Sequence, residues 1–193
     1  MKNQIIKINI LLVSLIGVVS SCKKDEAKNP NTTNSQEQIT SVYLKLINQN
    51  DSLNSQTFKW KDLDGDGGNA PQIDTILLKD GAEYRVEVLV LDESKSETDT
   101  VSLEIKNEAD VHRFFYKPSA LIEPALSINY LDFDSKNRPV GLLMNFKLVG
   151  LNLSLPLVGD LNLILSHYDG VEKTNEMSSE SDLDISFPVK ITK

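Results

Sequence analysis

From residue 39 to the C-terminus, apolar and polar side chains alternate with a period of two, which restricts the fold more than any other feature. Successive strand residues face opposite sides, so an alternating segment buries one face and wets the other. "ITSVYLKLI" (39–47) sets Val42, Leu44 and Leu46 on one face, with Tyr43 and Ile47 on the other. "EYRVEVLVL" (83–91) repeats the pattern with Tyr84, Val86, Val88 and Val90. "QTFKWK", "QIDTILL", "TVSLEI", "HRFFYK", "ALSINYLDF", "VGLLMNFKLV", "GDLNLILSHY" and "SDLDISFPVKI" extend the series. Turn formers such as "DGDGGNAP", "KDGA", "DESKSE", "DSKNRP" and "YDG" separate its members. Many short strands at spacings of about 8–12 residues predict a β-sandwich or barrel.

Two segments leave alternatives open. "LEIKNEADVH" (103–112) reads as a short helix, since Ile105 and Ala109 are four apart, or as strand, turn and strand. "LVGLNL" (148–153) and "LVGDLNL" (157–163) echo each other in a leucine-rich stretch. That stretch is expected to be a hairpin around Pro156 with core-facing leucines, or else an exposed apolar tip. "EADVHRFFY" resembles the corner before strand F of immunoglobulin domains. The expected fold is therefore all-β, an antiparallel Ig-like β-sandwich over 39–193. A body of about 155 residues buries roughly 68–70% of its unfolded surface and needs no staple.

The first 22 residues read as an address. Lys2 and Lys7 precede an apolar run, "INILLVSLIGVV" (8–19), too short to span a bilayer. "VVSSC" resembles a bacterial lipobox, which implies cleavage after residue 21 and acylation of Cys22 through its sulfur. Each buried CH₂ of an acyl chain contributes about 0.8 kcal/mol to anchoring. Cys22 is the chain's one cysteine, so no intrachain disulfide forms. Residues 22–38 carry no branched-aliphatic or aromatic side chain and read as a flexible tether. The acidic pair Asp25–Glu26 resembles the surface-export signal of Bacteroidetes lipoproteins, and Lys23 leaves the enterobacterial inner-membrane retention signal unwritten. The expected location is the outer membrane, with the lipid anchor as the membrane contact.

Net charge is −8, and Lys2 and Lys7 fall within the signal, so the mature chain is more acidic still. Such a surface repels phosphate backbones, so nucleic acid is not an expected partner. No GxSxG, phosphate-binding loop or dinucleotide fingerprint is written, and the chain is not expected to be an enzyme.

Two constellations could hold a metal. Asp62, Asp64 and Asp66 alternate in "KDLDGDGGN" (61–69). They match positions 1, 3 and 5 of a calcium loop, with Gly67 at 6, but Ile73 holds position 12, where the closing glutamate belongs. The flanks read as strands, so the other reading is a turn in which Asp and Gly supply local hydrogen bonds and left-handed geometry. His112 and His167 are the only histidines, each near carboxylates. They suit zinc if the fold brings them together, since no HxH or HExxH spacing does so locally; otherwise they sit at strand ends on the rim. Asp132 and Asp134 in "YLDFDSKNRPVG" (130–141) read as solvated charges on a hairpin loop. Trp60, beside the aspartate loop, is either a core residue or a stacking surface for a sugar.

The W-x-D-x-DGDGG loop, the ADxHxFFY segment, the "DFDSKNRPVG" hairpin and the C-terminal "FPV" together resemble a group of small Bacteroidetes lipoproteins over about residues 40–190. The resemblance carries across no activity and no catalytic residues. The chain departs from that group in its 148–165 stretch and at Arg113 and Tyr168. The expected function is ligand or partner binding by an outer-membrane-anchored sandwich, accessory to TonB-dependent uptake of a metal or glycan through an outer-membrane receptor. The alternative is a structural or adhesive Ig-like envelope module.

Overall fold

A computed structural model describes residues 38–65, 67–150 and 155–193. The signal (1–21), Cys22, the tether up to residue 37, Asp66 and residues 151–154 lie outside the described residues. Ten strands are described: β1 (Ser41–Asn48), β2 (Ser55–Lys61), β3 (Gln72–Ile73), β4 (Ile76–Lys79), β5 (Glu83–Leu91), β6 (His112–Pro118), β7 (Leu126–Tyr130), β8 (Leu143–Leu148), β9 (Leu157–His167) and β10 (Glu180–Thr192). The larger sheet runs β3-β2-β1-β5-β8-β7 and the smaller β4-β10-β9-β6. The two pack face to face as a β-sandwich. Among the described residues no helix is long and apolar enough to cross a membrane.

The alternation does what its period requires. Val42, Leu44 and Leu46 of β1 and Tyr84, Val86, Val88 and Val90 of β5 are all buried. They join one core cluster with Leu161, Leu163 and Leu165 of β9 and Ile185, Phe187, Val189 and Ile191 of β10. The wet face of β5 carries Arg85 and Glu87, which lie 3.3 Å apart.

Three expectations are corrected. "TVSLEI" is not a strand: residues Val101–Asn107 form a short helix, α1. Val101 and Ile105 are buried, while Leu103, which a strand would have faced inward with them, is 59% exposed. Apolar residues at i, i+2 and i+4 satisfy both periods, and here the i, i+4 pair packs on β5. The sheet is not wholly antiparallel, since β4 runs parallel to β10. The leucine-rich segment does not join paired strands either: β8 pairs with β5 and β7, β9 with β6 and β10. The chain crosses between sheets there, because both flanks carry core-facing leucines that need opposite walls of the core.

Residues 132–142 close the side of the sandwich where β6 and β7 end their sheets. Asp132 accepts hydrogen bonds from Gly141 N at 2.9 Å and Leu142 N at 2.8 Å. Phe114 N donates to Val140 O, and Tyr130 OH donates to Phe114 O. Gly141 has φ +95°, and a Cβ there would stand 2.8 Å from Phe114 Cβ, so only glycine fits. Buried Tyr116 donates its hydroxyl to Gly141 O at 2.5 Å, and burial pushes its pKa well above the usual tyrosine range. Tyr116→Phe is expected to cost about 1–2 kcal/mol in urea unfolding, because the carbonyl loses a buried partner.

Candidate functional site

The sandwich ends in a histidine pair. His112 opens β6 and His167 closes β9, and the strand register sets them directly opposite each other. His112 shares parity with buried Phe114 and Tyr116, and His167 with Leu161, Leu163 and Leu165, so both rings point inward. His112 is 0% exposed and His167 5%. Their ring centroids are 4.4 Å apart and tilted by 52°.

A bulge brings a carboxylate to them. β10 pairs Ser181 with Ser166 and Leu183 with Leu165, which leaves Asp182 as the extra residue. In regular alternation with inward Leu183, Asp182 would face away from the core. The bulge re-aims it, as bulges at functional sites commonly do. Its side chain is 4% exposed, with Oδ2 3.1 Å from His167 Nδ1 and 3.5 Å from His112 Nε2.

Helix α1 fixes the first ring. His112 Nδ1 lies 3.2 Å from the backbone carbonyl of Glu108, the residue that ends α1. The last carbonyls of a helix lack helical partners. A carbonyl only accepts, so Nδ1 carries a proton, and Nε2 is the nitrogen that faces Asp182. That Nε2 is buried and has no hydrogen-bond partner.

A cleft of about 450 Å³ opens at the same end, lined by Ile39, Trp60, Asp62, Gly65, Asp182 and Asp184 among others. Trp60 is half-buried against the core and lines the cleft. Asp182 belongs to both the cleft wall and the histidine cluster.

Comparison with protein-family models, curated proteins and solved structures finds no match to this chain.

Of the residues singled out in the sequence, the fold unites His112 and His167 and corrects their placement from rim to interior. The aspartate loop is a separate feature, and Asp66 lies outside the described residues. Asp62 Oδ1 accepts from Gly65 N at 2.9 Å. Asp64 accepts from Asn69 N at 3.0 Å and Asn69 Nδ2 at 2.7 Å, and these two bonds hold its pKa below the usual carboxylate value. The loop joins β2 to β3, with Trp60 paired to Ile73, so no helices flank it. Asp62 and Gly65 of this loop line the cleft, and Asp64 does not. Asp182 escaped the sequence reading because "SDLDISF" alternates cleanly, and a bulge leaves no mark in such a pattern.

The residues that follow the histidines serve the opposite face. Arg113 donates from Nη1 to Thr174 O at 3.0 Å and Asn175 Oδ1 at 3.1 Å, and its guanidinium stacks over Phe115 at 4.4 Å. Tyr168 N bonds Val111 O, and its hydroxyl donates to Glu176 O. They tie the loop between β9 and β10 across the back of the site. Within that loop Lys173 is buried against Asp134 at 3.3 Å, so Asp134 is not the solvated charge expected of a hairpin loop.

Proposed function

We propose that this chain is an outer-membrane lipoprotein, anchored through Cys22, whose β-sandwich captures a small ligand in the cleft between Trp60 and Asp182. The cleft carries the reading. Its volume of about 450 Å³ lies within the range of small-molecule sites, roughly 300–1,000 Å³. Asp62, Asp182 and Asp184 give it negative charge, and Trp60 gives it an aromatic wall. Such a lining attracts cations and neutral polar ligands with an apolar face, and repels phosphates and carboxylates. The lipobox sequence supports membrane anchoring, so the reading extends to accessory binding for TonB-dependent uptake. The chain acts by binding, not turnover.

Trp60 is the only tryptophan, so its emission reports on the cleft directly. Titration with divalent cations and with neutral oligosaccharides is expected to give a saturable change for at least one probe, weakened by Asp62→Ala. A flat response to every probe would favour the structural or adhesive module instead. The anchor has its own test: palmitate labelling and outer-membrane fractionation are expected to be lost in Cys22→Ala. Label that survives the substitution would overturn the assignment of Cys22.

A further inference from the structure

We propose that His112, His167 and Asp182 bind a divalent first-row transition-metal ion, of the zinc class. The inference deepens the cleft reading and rests on it only for the ion's way in, through the wall that Asp182 shares. The donor set comes first. Two imidazoles and one carboxylate suit zinc, cobalt, nickel or ferrous iron, whereas calcium and magnesium take oxygen ligands.

Spacing comes second. Donors about 2.0–2.2 Å from an ion, at tetrahedral angles, lie roughly 3.3–3.6 Å from each other. Asp182 Oδ2 stands 3.1 Å from His167 Nδ1 and 3.5 Å from His112 Nε2. One donor atom from each of the three residues falls within 4.8 Å of the others. The side chains need only small adjustments to close on an ion.

Third, His112 Nε2 is buried and without a hydrogen-bond partner. Buried polar atoms in folded proteins nearly always have one, and an ion supplies what this nitrogen lacks. The Glu108 carbonyl behind Nδ1 is the outer-shell contact that metal-bound histidines ordinarily make, fixing ring and tautomer. The bulge that turns Asp182 inward interrupts the β9–β10 ladder and delivers this carboxylate to the two rings. Three protein donors leave a fourth tetrahedral position for water or a donor atom of a small molecule.

The test uses the mature lipidated protein in detergent, stripped with chelator and titrated with Co²⁺. One equivalent is expected, with the intense visible d–d bands of four-coordinate cobalt, bleached by Zn²⁺ and untouched by Ca²⁺. Asp182→Asn and His167→Gln are each expected to weaken Co²⁺ binding at least about tenfold, as even outer-shell changes do at such sites. Asp182→His is expected to keep binding but shift the bands, because it replaces an oxygen donor by nitrogen. Thermal melts of the stripped variants show whether each is folded, and if His167→Gln is not, the Asp182 pair decides. Faint six-coordinate bands, or binding indifferent to Asp182→Asn, would overturn the metal site. That failure would leave any Trp60 response to oligosaccharides standing. Four-coordinate bands with a silent Trp60 would instead refute the cleft and keep the metal.

Discussion

Asp134→Asn is expected to cost about 3–5 kcal/mol, because it takes the carboxylate away from the buried Lys173 ammonium. The Asp134 and Lys173 side chains are both 0% exposed and 3.3 Å apart. Asp134 also accepts from Arg138 Nε at 2.7 Å, Arg138 N at 2.8 Å and Lys136 N at 2.9 Å. Without it, the Lys173 ammonium keeps its bond to Ala109 O at 2.8 Å but loses its counter-charge. Burial already depresses the Lys173 pKa against the pull of Asp134. Urea unfolding measures the loss, and Lys173→Met in the same chain is expected to recover part of it, since the two residues are coupled. The pH dependence follows the carboxylate. Burial raises the Asp134 pKa, but bonds from Arg138 and Lys136 and the charge of Lys173 outweigh it, so the folded value lies below 3.8. A folded pKa below the unfolded one gives stability that is complete above about pH 4 and is lost as pH falls through the folded value. Asp92 and Glu93 are lowered likewise, chiefly by hydrogen bonds from Ser94 and Ser41. Wild type should therefore lose midpoint steadily on acidification below about pH 4, and Asp134→Asn less steeply. Equal slopes would show that Asp134 is not the group titrating.

How far the sequence reaches depends on the range of the interaction. β1 and β5 were legible because one side chain in two must face the core, and Val42 to Leu46 and Tyr84 to Val90 say so locally. α1 was half legible: Ile105 and Ala109 pointed to a helix, but Leu103 made the strand equally consistent until the packing on β5 chose. The β8 to β9 connection was misread because a hairpin and a crossing between sheets require the same leucines. The two histidines were visible as residue types, and their meeting was not. It needs the β6–β9 register, which pairs two strands far apart in the chain. Asp182 was hidden deepest, since its role depends on one extra residue between Ser181 and Leu183 in a strand that otherwise alternates. Asp134 was misjudged because its partner Lys173 is distant in sequence.

Phe114→Ala is expected to be as damaging as the loss of Asp134, and it separates placement of the site from stability of the fold. Phe114 is 0% exposed and packs 6.0 Å from the Tyr116 ring, so truncation should cost about 3–5 kcal/mol and leave a cavity. For a domain this size that lowers the thermal midpoint by on the order of 10 °C. The backbone bonds of Phe114 to Val140 and Tyr130 do not use its ring, so β6 keeps its edge contacts. The cavity lies directly below the histidine pair, because Phe114 is the next inward residue after His112. Val189→Ala, in the core but far along β10 from Asp182, creates a void away from the pair. A ligand that binds only the folded state raises the midpoint by an amount set by its affinity. Zn²⁺ should therefore raise the midpoint of Val189→Ala as much as that of wild type, and of Phe114→Ala less, if packing under His112 holds the ring in place. An equal rise in all three would mean that the β6–β9 register and the Glu108 carbonyl are enough to aim His112.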